Sequence, residues 1–361
     1  MQPTQPTTID YQQLAQDIQR WGRDLGFQQI GIAATDLGQH AAHLQAWLDN
    51  NYHGDMEYMA AHDNKRGHPD ALLPGTLRVI SARMDYLPGD TQQIKLLQQS
   101  DKAYLSRYAL GRDYHKLIRK RLAELAKKIE DAVGEKTNQR PFVDSAPVLE
   151  RAIAENAGLG WIGKNTMLIN SKAGSWFFLG ELFTNLPLPV ADNPDSNHCG
   201  TCRACLDICP TQAFIGPYQL DARNCISYLT IEHKGSIPEE LRKPMGNRVF
   251  GCDDCQIVCP WNKFAKPTDE KDFKPRHGLD QVDLVALFNW TEEEFLQYTE
   301  GSAIRRIGYE RWLRNIAVGL GNGPSTQEAL AALETQSNVE SPVVREHILW
   351  AIDQLQQNIN D

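Results

Sequence analysis

The sequence predicts a mixed α+β protein in three parts: an N-terminal α/β region over residues 1–190, a cysteine-rich segment over 191–270 and a helical region over 271–361. Three observations lead there. Strand-like and helix-like segments alternate through the first half, the pattern of a mixed fold. All eight cysteines lie between Cys199 and Cys259. After them the apolar spacing is helical to the end. A chain of 361 residues is also too long for one compact core and long enough for two or three domains.

Residues 8–25 read as an amphipathic helix. Leu14, Ile18, Trp21 and Leu25 form its stripe, and Gly26 stands where a C-terminal cap belongs. FQQIGIA (27–33) reads as a strand, and RVISARMDYLP (78–88) as a second one closed by proline. HKLIRKRLAELAKKIEDAVG (115–134) is a clear helix, with Ile118, Leu122, Leu125, Ile129 and Val133 on one face. Arg119, Lys120, Lys127 and Lys128 occupy its other face, as a solvated surface requires. RPFVD (140–144) reads as a strand, and PVLERAIAENAG (147–158) as a helix ending at glycine. TMLIN (166–170) and SWFFLGELF (175–183) read as buried strands. Beyond the cysteines, Thr291 and Glu294 make a capping box. AIRRIGYERWLRNIAVGLGNG (303–323) reads as one helix with Ile304, Leu313, Ile316 and Leu320 on its stripe, and helices over 325–336 and 341–355 follow. Short successive helices suggest HEAT-type pairs, which present a concave surface to large partners. A structural cap over the cysteine segment is the plainer alternative.

Composition excludes several classes. The mean hydropathy is -0.47 and no stretch approaches the roughly 20 apolar residues of a membrane span, so no membrane association is expected. The polar start MQPTQPTTIDYQQ lacks a basic and then apolar run, so no signal peptide is expected. The formal net charge of -9 does not advertise nucleic acid, although it leaves room for a local basic face. Together these point to a cytoplasmic protein. In that reducing compartment clustered cysteines are more often metal ligands than disulfides.

The cysteines carry the strongest signal. CGTCRACLDICP (199–210) is C-x2-C-x2-C-x3-C-P, Cys225 stands alone, and CDDCQIVCP (252–260) is C-x2-C-x3-C-P. The first run has the spacing of bacterial ferredoxins, in which the fourth cysteine ligates the other cluster. Applied here, Cys199, Cys202, Cys205 and Cys259 bind one [4Fe-4S] cluster, and Cys209, Cys225, Cys252 and Cys255 bind a second. Zinc is the plainer reading, but zinc ribbons use isolated C-x2-C pairs without a third cysteine and a Cys-Pro. Two clusters pass single electrons and choose no substrate. The flanking three hundred residues must explain what the electrons are for. No Walker loop, dinucleotide fingerprint or H-E-x-x-H is present, and GLGWIGKN (158–165) reads as a turn.

Several segments in one order resemble the epoxyqueuosine reductase family: SRYALGRDYHK (106–116), VDSAPVLERAIAENAGLGWIGKN (143–165), GSWFFLGEL (174–182) and the two cysteine motifs. The resemblance runs from about residue 10 to the final helices. It implies a cobalamin-binding N-terminal domain that holds cob(II)alamin base-off, a ferredoxin-like domain that feeds it electrons, and HEAT-like helices that help hold a tRNA anticodon arm. It implies removal of the epoxide oxygen of epoxyqueuosine at the wobble position of tRNA. It implies an external electron donor, and the chain is expected to act as a monomer. A reductive dehalogenase would share the cofactors but is usually exported with a twin-arginine signal, which is absent here. A bare electron carrier would not need the large flanking regions.

In the family the proton donor is the aspartate of V-D-S-A-P, here Asp144. From the residues alone Asp144 follows a strand and precedes a helix, so an N-cap role is the plain reading. An acid working near neutral pH calls for a raised pKa, expected if a corrin ring buries it. By the same resemblance Tyr108 is a candidate for the cofactor or substrate cavity, and Lys164, Asn165, Asn170 and Ser175 for contacts to the corrin amides. Asp113, Tyr114 and His115 take a core or turn role by default, and His115 has no claim as a cobalt ligand. Arg305, Arg306, Arg311 and Arg314, read as lying on one helix, are candidates for phosphate contacts to tRNA.

Overall fold

The computed structural model describes residues 9–89, 92–191 and 196–360, so the expected helix start at residue 8 lies outside it. Four strands build the main sheet: β1 (Gln29–Ala34), β2 (Arg78–Asp85), β3 (Gln139–Phe142) and β4 (Phe177–Thr184), in spatial order β1–β2–β4–β3. Every pairing in it is antiparallel. The α+β class therefore holds, while the N-terminal part is not α/β in the parallel sense. Alternation of strands and helices along a chain does not report which strands pair.

Strand alternation on β4 sends Phe178 and Leu182 to one face and Phe177, Glu181 and Phe183 to the other. The first face packs on helices Tyr11–Asp24 and Tyr114–Val133 through Ile18, Ile118, Leu122, Leu125 and Ile129, all 0% exposed. The second packs on helix Glu150–Asn156 through Ile153 and Ala154. Glu181 is thus a carboxyl group built into a core face. Helix Tyr114–Val133 starts where Asp113 caps it by accepting the His115 N–H at 3.0 Å, and Gly134 ends it as expected.

Two expected elements are shorter. Only Leu168–Ile169 of 166–170 is strand, paired with Trp161–Ile162. The helix expected from 147 begins at Glu150, because residues 143–148 fold into tight turns in which Ser145 N–H donates to Val143 O and Val148 N–H to Ala146 O. The capping box at Thr291 and Glu294 is present.

Residues 303–323 are not one helix. A 3-10 turn, Ala303–Ile307, precedes helix Gly308–Gly321, and Gly308 between them has φ +73°, a conformation a side chain would disfavour. The break turns Arg305 and Arg306 outward, whereas Trp312 to Gly321 are all buried. That helix packs with Leu284–Phe288, Gln327–Thr335 and Pro342–Asn360 around a core that also takes in Leu105, Leu110, Val249 and Phe250. Strand Arg248–Phe250 pairs in parallel with Tyr104–Leu105, so the cysteine-rich segment is stitched to residues on both sides. Among the described residues no helix is long and apolar enough to cross a membrane.

Candidate active site

The cysteine turns bring the thiols into two groups. Burial first, and then the neighbouring thiols of Cys259, Cys199 and Cys202, push the Cys205 thiol up to about 11. These four line one small cavity with Lys164, His198 and Trp261. Cys225 adjoins Cys209, Cys252 adjoins Cys225, and Cys255 adjoins Cys225 and Cys209. Cys255 also feels Cys205 of the first group, so the two groups stand side by side. Among the described residues no three His, Cys, Asp or Glu converge closely enough to hold one ion. Zinc would draw four sulfurs to about 2.3 Å from one point.

Tight cysteine turns leave main-chain carbonyls unpaired, and two of the four residues expected on the corrin satisfy such groups. Lys164 Nζ donates to Gly200 O at 2.6 Å and Cys202 O at 2.9 Å. Asn165 Nδ2 donates to Cys255 O at 3.1 Å. Ser175 N–H donates to Asn262 Oδ1 at 2.6 Å, and Ser175 O accepts from Gln256 Nε2 at 3.1 Å. Asn170 Nδ2 donates to Leu159 O at 2.7 Å and Gln29 Oε1 at 3.1 Å. The first three therefore clamp the cluster loops against the sheet domain, and Asn170 braces the 159–170 hairpin. These contacts give the four residues a structural role alongside the corrin contacts expected of them. Gly174, at φ +68°, admits the clamp, since a Cβ there would lie 2.1 Å from Asn262 Oδ1. Within CDDC, Asp253 accepts from Tyr104 OH at 2.9 Å, Arg107 N–H at 2.8 Å and the Ser106 hydroxyl, while Arg248 holds Asp254 at 2.5 Å. The sequence reading missed both aspartates, although a charged pair between two ligand cysteines is itself a signal.

The second feature is a carboxylate–imidazole chain. Asp144 follows β3 at φ +51°, a left-handed conformation that aspartate tolerates better than most residues. It is not an N-cap, because that position belongs to Leu149. His115 Nε2 lies 3.0 Å from Asp144 Oδ2, and His115 Nδ1 lies 2.5 Å from Asp113 Oδ1. Tyr114 stacks on His115 at 4.2 Å and on Phe178 at 3.8 Å, which fixes the imidazole plane. Burial acts to lower the His115 pKa, but the two carboxylates outweigh it and push it up to about 9. Burial acts to raise Asp144, but the His115 bond and charge, then Arg306, hold its carboxyl below the ordinary value. The raised value expected under a corrin ring is thus not the resting state of the chain without cofactor. The proton resides on the neighbouring imidazole. The signal in the sequence was D-Y-H at a helix start, a spacing that sets an imidazole beside the capping carboxylate.

The charge of Asp144 is felt at Tyr58, Arg66, Tyr108 and Arg306. Asp144 keeps 50% of its side-chain surface accessible and Arg306 keeps 52%, so both stay open to solvent beside the carboxylate–imidazole chain. Tyr108 borders it against Tyr114 and Phe250, its hydroxyl pushed up by burial. The buried Nε of Arg66 has no hydrogen-bond partner among the described residues.

The four arginines expected on tRNA part company. Arg305 is exposed and donates to Leu296 O at 2.9 Å. Arg306 is exposed and pairs with Glu232 at 2.8 Å. Arg311 is half-buried and bonds the carbonyls of Ile307, Ile231 and Arg306. Arg314 is 0% exposed, its guanidinium donating to Leu229 O, His233 O and Gly235 O, and burial pulls it down to about 10. A cation enclosed in this way cannot meet a phosphate, so Arg314 leaves the RNA-facing set.

Residues 198–262 match a family model described as a 4Fe-4S double cluster binding domain, and residues 66–145 match one described as Epoxyqueuosine reductase QueG, DUF1730. The chain is 66% identical over 343 residues to the epoxyqueuosine reductase of Pseudomonas aeruginosa, covering 95% of each protein. It is 57% identical over 346 residues to that of Escherichia coli, covering 96% of this chain and 90% of that one. Among solved structures it is similar to a crystal structure of epoxyqueuosine reductase with an epoxyqueuosine-modified tRNA-Tyr stem loop. The TM-score there is 0.87 at 29% identity, covering 96% of this chain and 91% of the other.

Proposed function

The chain belongs to the epoxyqueuosine reductase family, oxidoreductases that reduce epoxyqueuosine in tRNA, and we propose that it does so at the wobble position on a bound cobalamin, with Asp144 delivering the proton. The observation that carries this reading is the Asp113–His115–Asp144 chain, half open to solvent at Asp144, whose charge is felt at Tyr58, Arg66, Tyr108 and Arg306; the space beside these residues is the cleft we assign to cofactor and substrate. The donor set suits cobalamin. A corrin carries amides and a phosphate, and the unpartnered Nε of Arg66 and the hydroxyls of Tyr58 and Tyr108 offer polar contacts to it. When bound, cobalamin would supply the strongly reducing cobalt centre, and the [4Fe-4S] clusters would supply it with single electrons.

The protein's own residues manage protons and position. Deoxygenating an epoxide takes two electrons and two protons and releases water. Near neutral pH His115 is charged and Asp144 is ionised. As the ring opens, the His115 Nε2 proton crosses 3.0 Å to Asp144 Oδ2, the carboxyl so protonated delivers it to the developing alkoxide, and the second proton of the reaction comes from solvent. Asp113 keeps the imidazole in register by accepting from Nδ1. Arg306 at the mouth is placed to meet a phosphate beside the reacting nucleotide, with Arg305 as the second exposed cation of that turn. Cys202, an exposed thiol, places the first cluster toward an external one-electron donor.

Electron paramagnetic resonance of cob(II)alamin mixed with the reconstituted protein tests the cofactor assignment. A base-off signal that saturates at one equivalent supports it. A spectrum identical to free cob(II)alamin at every protein concentration refutes it.

A further inference from the structure

Directly behind the Asp144 turn lie two carboxyl groups without a part in the chemistry above. Glu181 is 0% exposed on the core face of β4, where Ser81 Oγ donates to its Oε1 at 3.2 Å. Its Oε2 meets no donor among the described residues. The Glu181 carboxyl group shares a side-chain hydrogen bond with the carboxyl group of Glu150. Two carboxylates can only accept, so this contact requires a proton between them. The same Glu150 carboxyl holds the turn: Asp144 main-chain N–H donates to Glu150 Oε1 at 2.6 Å. A left-handed aspartate at φ +51° persists where its surroundings hold it.

We propose that Glu150 and Glu181 are positioning residues for the proton donor: they share one proton, and the carboxylate left on Glu150 grips the main-chain N–H of Asp144 and aims its side chain at His115 and the cleft. This deepens the reading of Asp144 as donor and rests on it. The charged groups facing the pair are Asp144, His115 and Arg151. Burial, and then the charge of Asp144, push Glu150 up to about 7, while burial and Glu150 push Glu181 well above the carboxylate range. Above that pH the pair holds one proton and Glu150 is a charge-assisted acceptor. Below it a second proton neutralises Glu150 and slackens the grip. The rate then falls on the acid side with a midpoint near 7.

The test is the pH dependence of conversion of the epoxyqueuosine stem loop by the full holoenzyme, with infrared spectra of the same samples. Glu150→Leu is expected to lower kcat by about 10²-fold, the cost of misplacing a reacting group by an ångström, while KM changes less than about threefold. Glu181→Leu is expected to lower kcat as well. Glu181→Gln, whose amide N–H stands in for the shared proton, is expected to recover most of that loss. At about pH 8 the native protein is expected to show a protonated carboxyl band that Glu181→Gln lacks. The spectrum of the native protein serves even if a leucine variant fails to fold. Glu150→Leu with native kcat while Asp144→Asn is inactive, Glu181→Gln as slow as Glu181→Leu, or no protonated carboxyl band in the native protein would each overturn the proposal. Full activity of Asp144→Asn would instead refute the donor reading beneath it.

Discussion

Replacing Asp113 by asparagine tests the proton relay with little other disturbance. Asp113 caps its helix through the His115 N–H and also accepts from His115 Nδ1. Asparagine caps about as well and still offers an oxygen to Nδ1–H, so the variant removes a charge and little else. His115 stands at about 9 against an ordinary 6.5. That gap of roughly 2.5 units corresponds to about 3 kcal/mol favouring the imidazolium. Burial opposes it, so the two carboxylates supply all of it. The Asp144 share is the more screened, since half of that side chain is open to water. Removing the Asp113 charge therefore takes away at least half, roughly 1.5–2 kcal/mol, and His115 falls to about 7.5. The sign follows directly. A raised histidine pKa stabilises the fold fully below 6.5, and this stabilisation is lost as pH climbs through about 9. The alkaline limb of kcat follows the same proton. It is expected near 9 in the native protein and near 7.5 in Asp113→Asn, read by stem-loop conversion across pH. A limb that stays near 9 in the variant would refute the relay.

Other expectations follow from particular contacts. Arg306→Gln is expected to weaken binding of the stem loop and reduce the slope of log K against log salt by about one, measured by titration at several salt concentrations. Arg314→Gln leaves buried carbonyls unsatisfied and is expected to cost at least about 2 kcal/mol in thermal unfolding while leaving that slope unchanged. A changed slope without lost stability would return Arg314 to the RNA-facing set. Lys164→Ala removes the donor to Gly200 O and Cys202 O, so the first cluster is expected to lose iron to a chelator several times faster than in the native protein. Unchanged release would show that the clamp does not matter to the cluster.

The double-cluster segment was legible because ligand spacing is local and repeats the ferredoxin pattern. Helix Tyr114–Val133 was legible because its apolar stripe is periodic and Gly134 ends it. The direction of strand pairing was not, since antiparallel and parallel sheets can draw on the same alternating segments. The break at Gly308 was overlooked because apolar residues run on through it, although Ile304 lies nine residues before Leu313, half a turn out of phase for a straight helix. Asn165, Asn170 and Ser175 look alike in a sequence whether they bind a cofactor or satisfy a loop carbonyl, and burial alone separates the two. The role of His115 depends on Asp144, twenty-nine residues away, arriving at its Nε2, and the fold alone brings that contact about.

The central claim is tested most directly by nucleoside mass spectrometry. Reconstituted protein is given the epoxyqueuosine stem loop, cobalamin and a strong reductant under anaerobic conditions, and the RNA is digested and weighed. The account predicts loss of one oxygen to give queuosine, dependent on cobalamin and nearly abolished in Asp144→Asn. Conversion without cobalamin, or no conversion with both clusters and cobalamin bound, would contradict it.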